Sequence, residues 1–311
     1  MRPCSRRARR AACARVAACA WPRSWRGAML RRMPRAHAAL VAVATAVAAA
    51  AVAAAGPVAG GAPWLGVVLE PGSVGVRVGK VVPGSPAEDA GLVEGDEIVA
   101  LGAARTRSAR ELVAAVAGHR VGDRVAVAIV RDGRRIAVHA TLGPRLGDRE
   151  VLERWLVDRP APDFALDVAS GAASGALADY AGRVVVIEFF ATWCRYCPLA
   201  HRALAQLAAR HPGDVAVLGI AGGDRKALAA YLSPKSAAAS GSGVAVLHHG
   251  PLGFAALYDD KDAVKRAYLP VVTYPTIVVI DRRGFVRAVA VGASSAEIGR
   301  AVRIAEALAR E

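Results

Sequence analysis

Between residues 62 and 143, short apolar runs alternate with turns. Trp64–Leu69 is apolar, Val76–Val82 alternates, and Glu97–Leu101 is apolar after an acidic turn. Arg124–Val130 alternates through Val125, Val127 and Ile129, and Arg135–Leu142 follows across Asp132-Gly133. Asp-Gly between two such runs predicts a hairpin. Ser108–Ala117 begins on a Ser cap and spaces Leu112, Val113 and Val116 for one buried helical face. Five or six strands with one or two helices predict a small, partly open β-barrel. Gly143–Val157 is charged, carries one short helical stretch at Asp148–Leu156, and reads as a connector.

From Pro160 the period changes. Val184–Phe190 is a continuous apolar run, which suits a central strand buried on both faces. Arg195–Arg210 reads as a helix with Leu199, Leu204 and Leu207 on one side. Asp214–Ile220 reads as a second buried strand, Asp224–Leu232 and Asp262–Tyr268 as helices. Thr276–Ile280 and Phe285–Val291 flank Asp281–Gly284 as a hairpin, and Ala296–Ala309 closes the chain as a helix. The pattern predicts a second, α/β domain: a central mixed sheet flanked by helices.

A chain of 311 residues has room for two such cores, at about 150 residues per domain. The net charge of +15 invites a nucleic-acid reading. Its distribution argues against one. Residues 1–55 hold eleven arginines and no acid, which leaves 30 basic and 26 acidic side chains for the rest. A nucleic-acid protein carries its positive charge on the folded face that meets phosphate. No nucleic-acid partner is therefore expected.

Residues 1–55 read as a leader. Ala38–Ala55 is an uncharged run of small and apolar residues behind Arg31, Arg32 and Arg35, and Ala53-Ala54-Ala55 suits a small-residue cleavage rule. Two readings stay open: a secretory signal that is cut, or a weak anchor near the minimum length for a span. Positive charge before the run sends the folded part across the membrane in both. The expected location is extracytoplasmic, periplasmic or cell-envelope, secreted through 29–55 or anchored by 38–55, with membrane contact only through the leader. Met29 or Met33 gives a more ordinary start, and residues 1–28 read as a start-site artefact. Residues 56–61 are linker.

The cysteines divide the same way. Cys4, Cys13 and Cys19 lie in the leader, and Cys194 and Cys197 form one C-x-x-C pair. One such pair is no disulfide framework and only half of a four-ligand zinc site. It follows a predicted buried strand and opens a predicted helix, the context of a thioredoxin-like redox motif. The helix N-terminus carries partial positive charge and stabilises a thiolate. Cys194, nearer the end, is expected to be the nucleophile and Cys197 the buried resolving thiol. Arg195 either adds positive charge beside Cys194 or points into water. Glu188 interrupts the apolar strand six residues before Cys194, and a buried acid is costly without a partner or a task.

Two resemblances sharpen this reading. Val82-Pro83-Gly84-Ser85-Pro86-Ala87 through Gly95-Asp96-Glu97-Ile98-Val99 resembles the PDZ domains of HtrA-type periplasmic proteases. Trp64-Leu65-Gly66-Val67 is similar to their carboxylate-binding loop, where exposed amides make an anion cradle. The resemblance implies a PDZ domain over 62–143 with a groove for an extended peptide beside Ser108–Ala117. The bland alternative is a module that only spaces its neighbour. No Ser-His-Asp protease unit precedes it, so proteolysis is not expected.

Residues 160–311, joined through a connector at 144–159, resemble extracytoplasmic thioredoxin-like oxidoreductases of the TlpA/ResA class. The carrying residues are Ala161-Pro162-Asp163-Phe164, Val184–Phe190, Ala191-Thr192-Trp193-Cys194-Arg195-Tyr196-Cys197-Pro198, and Tyr274-Pro275-Thr276 with the strand after it. The resemblance implies a thioredoxin fold, a cis Pro275 against the disulfide, Tyr274 offering its backbone to substrate, and Glu188 relaying protons to the resolving thiol. Phe190 stands where the family often has Trp, and Ala200 and His201 stand where some members carry an acid.

The expected activity is thiol–disulfide exchange, in the reducing direction, on a protein thiol or disulfide, with a redox partner protein, a peptide ligand at the PDZ groove and no cofactor beyond the Cys194–Cys197 disulfide. A PDZ-based adaptor with an idle thioredoxin fold is the alternative. A peroxidase of the peroxiredoxin type shares the Pro-Asp-Phe segment but not the C-x-x-C spacing. No metal is expected: His248-His249 alternate across a strand, and His201 reads as a helix-surface residue.

Overall fold

A computed structural model describes residues 61–171, 174–233 and 251–311. The leader, nearly all of the 56–61 linker and His248-His249 lie outside the described residues. No described helix is long and apolar enough to cross a membrane.

The PDZ domain begins with β1 (Pro63–Trp64), β2 (Val67–Pro71), β3 (Val76–Val81), helix α1 (Pro86–Asp89), β4 (Glu97–Leu101) and β5 (Ala104–Arg105). Helix α2 (Ala109–Ala117), β6 (Arg124–Arg131), β7 (Arg134–Thr141) and β8 (Gly143–Pro144) complete it. The sheet runs β2-β3-β4-β6-β7, with β5 beside β4, and β1 pairs with β8. The predicted hairpin turns at Asp132 and Gly133, both with positive φ. Ser85 and Ser108 cap their helices by accepting from the backbone N–H of Glu88 and Glu111. Ile98, Val127, Ile129 and Leu112 meet in one core. The expected single run Trp64–Leu69 is two strands. Between them the chain turns at Gly66, φ +92°, where a Cβ would lie 2.2 Å from that of Ser85.

Helix α3 (Asp148–Leu156) packs on both modules. Arg154 donates to the Gly84 carbonyl at 2.7 Å, and Lys80 lies 4.6 Å from the centre of the Trp155 ring. On the other side Trp155 Nε1 donates to the Ala267 carbonyl at 3.2 Å, and Thr273 Oγ1 donates to Asp148 at 2.6 Å.

The second domain contains β9 (Asp167–Ser170), a 3-10 turn (Leu177–Tyr180), β10 (Val184–Phe190), α4 (Cys197–Arg210), β11 (Val215–Gly222) and α5 (Arg225–Leu232). After residue 250 come β12 (Ala255–Asp259), α6 (Ala263–Tyr268), β13 (Thr276–Ile280), β14 (Val286–Val291) and α7 (Ser295–Arg310). The sheet order is β14-β13-β10-β11-β12-β9. β10 is central, parallel to β11 and antiparallel to β13. Every residue of it is buried. Val185, Ile187 and Phe189 face one core with Tyr268, and Val184 and Val186 face the other, under α4 and α7.

Three expectations need correction. β9 and β12 were not foreseen. α4 starts at Cys197, so Cys194 lies in the turn ahead of the helix. The buried face of α4 is Cys197, Ala200, His201, Leu204 and Leu207, while Leu199 is exposed. His201 is not a surface residue but wholly buried.

Phe189 is 1% exposed and packs its ring 5.4 Å from that of Tyr268. Phe189→Ala is expected to destabilise the thioredoxin-like domain by about 3–5 kcal/mol, read by urea unfolding, because the cavity cannot fully close. A loss under about 1 kcal/mol would mean that this core is not packed as described.

Candidate functional site: a cysteine pair backed by a buried acid and imidazole

β10 ends at Phe190 and the chain leaves the sheet through Ala191-Thr192-Trp193. Cys194 N–H closes this turn onto the Ala191 carbonyl at 3.0 Å, and Cys197 N–H closes the next onto the Cys194 carbonyl at 3.3 Å. Cys194 and Cys197 are joined in a disulfide, with Cα atoms 5.5 Å apart. Cys194 is 8% exposed and Cys197 fully buried. Pro198 occupies the first turn of α4, where its missing N–H costs nothing. The helix N-terminus, with its partial positive charge, therefore abuts the sulfur pair.

The surface around the pair is apolar and open. Trp193 is 77% exposed and meets the Tyr274 ring edge-on at 5.6 Å. Tyr196 is also exposed, and Arg195 turns over its ring, with the guanidinium carbon 5.2 Å from the centre. The Tyr274–Pro275 peptide bond is cis, and Pro275 is buried. Thr276 Oγ1 donates to the Thr273 carbonyl at 2.6 Å and Gly292 N–H donates to that of Pro275 at 2.8 Å. These bonds hold the loop that carries Tyr274.

Glu188 is fully buried in β10, two residues before Phe190, which packs in one cluster with Cys194 and Cys197. Its Oε1 is 3.3 Å from Nε2 of His201, which is one turn beyond Cys197 on α4. Nδ1 of His201 lies 3.4 Å from the hydroxyl of Tyr231 on α5. Phe190 and Phe254 stand edge-on to the imidazole at 5.1 and 6.2 Å. Burial pushes the Glu188 carboxyl above its ordinary range, and His201 pulls in the opposite direction. Tyr231 is pushed up to about 12, by burial first and then by Glu188.

Sequence reasoning missed His201 and Tyr231. The signal for His201 was there: counting helical spacing from Cys197 gives 200, 201, 204 and 207. Tyr231 had none, since α5 meets α4 only through the tertiary fold.

The PDZ loop residues Trp64, Leu65, Gly66 and Val67 are not part of this cluster. The Leu65 carbonyl accepts from Ala87 N–H at 2.8 Å and that of Gly66 from Val82 N–H at 2.9 Å. The loop borders a cavity of about 460 Å³ between β2 and α2. Its walls include Val113, Val116, Arg145, and also Pro270 and Val271, a few residues ahead of Tyr274. Among the described residues no cluster of His, Cys, Asp and Glu could hold a metal ion.

Comparison with known proteins agrees with this architecture. The thioredoxin-like protein YneN of Bacillus subtilis is 30% identical over 139 residues, covering 42% of this chain and 69% of the relative. The chain belongs to the thioredoxin-like proteins. It carries the fold and the cysteine pair of a thiol–disulfide oxidoreductase, preceded by a PDZ domain. The AhpC/TSA family matches residues 157–289 and the PDZ domain residues 63–142. A secreted Mycobacterium tuberculosis disulfide oxidoreductase homologous to E. coli DsbE is 24% identical, with a TM-score of 0.34, covering 46% of this chain and 95% of that one. The HtrA-type protease AlgW with a decapeptide is 25% identical, with a TM-score of 0.26, covering 27% of this chain and 30% of that one.

The raised Glu188 pKa has a stability consequence with a defined sign. A folded-state value above the ordinary 4.5 makes ionisation cost stability as pH climbs from 4.5 through the raised value. Glu188→Gln removes that cost. The melting temperature of the variant should exceed that of the protein by a margin that is small near pH 4 and grows toward pH 8. A margin independent of pH would mean that Glu188 titrates normally.

Proposed function

We propose that the protein is an extracytoplasmic thiol–disulfide oxidoreductase that works as a reductase, with its PDZ domain recruiting the protein it acts on. The observation that carries the reading is the Cys194–Cys197 disulfide, at a helix N-terminus and on an open apolar surface formed with Trp193, Tyr196 and Tyr274. Cys194, the more exposed sulfur, is the nucleophile. Its thiolate attacks a substrate disulfide, a mixed disulfide forms, and Cys197 resolves it. Trp193 and Tyr274 give the substrate a surface, and the backbone of Tyr274 beside cis Pro275 gives an extended substrate segment a place to pair.

The reducing direction is supported by Arg195. Its guanidinium lies over the Tyr196 ring, and we read this contact as drawing its charge toward Tyr196. Less thiolate stabilisation means a lower potential. The extracytoplasmic location is supported by the arginine-flanked run Ala38–Ala55 and by the confinement of the remaining cysteines to the leader. No cofactor beyond the disulfide is required by this chemistry.

The PDZ proposal rests on the cavity between β2 and α2. Its loop at Leu65–Gly66 suits a terminal carboxylate, Arg145 and Asp148 are the two charged residues of its lining, and the rest of the lining is apolar. The partner class is therefore a protein with a free, apolar C-terminal tail. Tethering raises its effective concentration at the cysteine pair.

The activity is tested by Cys194→Ser, which should abolish reduction of any disulfide; retained turnover would favour the adaptor alternative. Recruitment is tested by Val113→Glu, since Val113 is exposed and lines the cavity. The variant should lower kcat/KM on a protein disulfide with an apolar C-terminal tail about tenfold or more, and leave a small aromatic disulfide unaffected. Equal effects on both would remove the recruitment role.

A further inference from the structure

Glu188 presents a difficulty for proton transfer. Burial favours the protonated form of this carboxyl, and in that form it cannot accept a further proton. The structure holds a second group where one is needed. His201 is buried on the face of α4 that carries Cys197, one turn along, a spacing that brings side chains within about 5–6 Å at Cβ. Its Nε2 faces Glu188 Oε1 at 3.3 Å. Neither carboxyl oxygen has an aligned hydrogen-bond donor among the described residues, and Nε2 has no aligned partner either. The two groups therefore face each other in a fully buried site.

The surroundings leave the pair few other options. On the flanking strands, the positions opposite Glu188 are Gly219 and Ile277, which carry no charge. From α4 come Cys197 and His201, from α5 comes Tyr231, and the segment before β12 contributes Leu252 and Phe254. A Cβ on Gly219 would stand 3.1 Å from the Phe190 and Phe254 rings, so the glycine makes room for this aromatic jacket. Tyr231 stays a neutral hydroxyl at physiological pH. If Nδ1 carries the imidazole proton and donates it toward that hydroxyl, Nε2 is free to accept from Glu188.

We propose that His201 is a positioning residue that shares a proton with Glu188, so that the two act as one buried acid–base unit for Cys197. As the mixed disulfide resolves, Cys197 S–H gives its proton to Glu188 while Glu188 passes its own to His201 Nε2. The Cys197 sulfur attacks Cys194 Sγ, the Cys194–Cys197 bond forms, and the bond from Cys194 to the substrate sulfur breaks. The substrate sulfur leaves as a thiolate and is protonated by water. Two electrons have passed from the protein dithiol to the substrate disulfide, and the unit returns its extra proton to solvent. In the oxidising direction the same unit protonates Cys197 as it leaves.

This rests on the Cys194–Cys197 couple being the working centre, and the test separates the two. The mixed disulfide with a small aromatic disulfide is followed by acid trapping in the full chain, between pH 5 and 9, in the protein and in His201→Gln. Gln fills similar space and still bonds to Glu188, but cannot take up a proton. The expected result is unchanged formation of the mixed disulfide, with resolution slowed about tenfold or more at pH 7 and the deficit shrinking toward pH 9, as hydroxide takes over removal of the proton. Resolution at the original rate, or slowed by one factor at every pH, would overturn the proposal and leave His201 a packing residue. If the variant does not fold, imidazole nitrogen shifts of His201 in the unaltered protein decide. They should differ between the oxidised and reduced forms; one fixed tautomer in both would overturn it. An unaltered protein that forms no mixed disulfide would overturn the oxidoreductase reading as well.

Discussion

The site depends on a strand that must be dry on both faces. β10 lies between a parallel and an antiparallel neighbour, with every residue buried. Such a strand needs apolar side chains on both sides, and six of its seven are apolar. The exception, Glu188, is charged or neutral according to how the fold treats it, and burial favours the neutral form. The same strand fixes where the chain emerges at Ala191, and hence where Cys194 meets the helix N-terminus. One constraint thus sets both the place of the sulfurs and the dryness of the groups behind them.

The helix between the modules gives their arrangement a physical basis. Asp148, Arg154 and Trp155 each make a directed contact, with Gly84 on one side and with Thr273 and Ala267 on the other. Thr273 is the residue before Tyr274, and Pro270 and Val271 line the PDZ cavity. The segment 270–275 therefore runs from the wall of the PDZ-domain cavity to cis Pro275.

Much of this was legible in the sequence because it rests on local rules. A continuous apolar run announced β10, a serine cap announced α2, and Cys-x-x-Cys after a strand announced the sulfur pair. The failures share a cause. β9 is a mostly exposed edge strand of four residues without alternation, and β12 follows a segment rich in alanine and glycine, so neither has a period to read. Trp64–Leu69 looked continuous because Gly66 hides a sharp turn set by the close approach of Ser85. His201 was misplaced because the helical face was counted from Leu199 instead of Cys197. A polar residue on a core face looks like a surface residue until its partner, Glu188 on another element, is known.

The reduction potential of the Cys194–Cys197 couple, measured on the full chain by thiol trapping across a dithiothreitol series, tests the account most directly. The account predicts one reversible two-electron couple, near the thioredoxin value of about −270 mV, that disappears in Cys197→Ser. A pair that forms no reversible couple, or one as oxidising as about −120 mV, would contradict it.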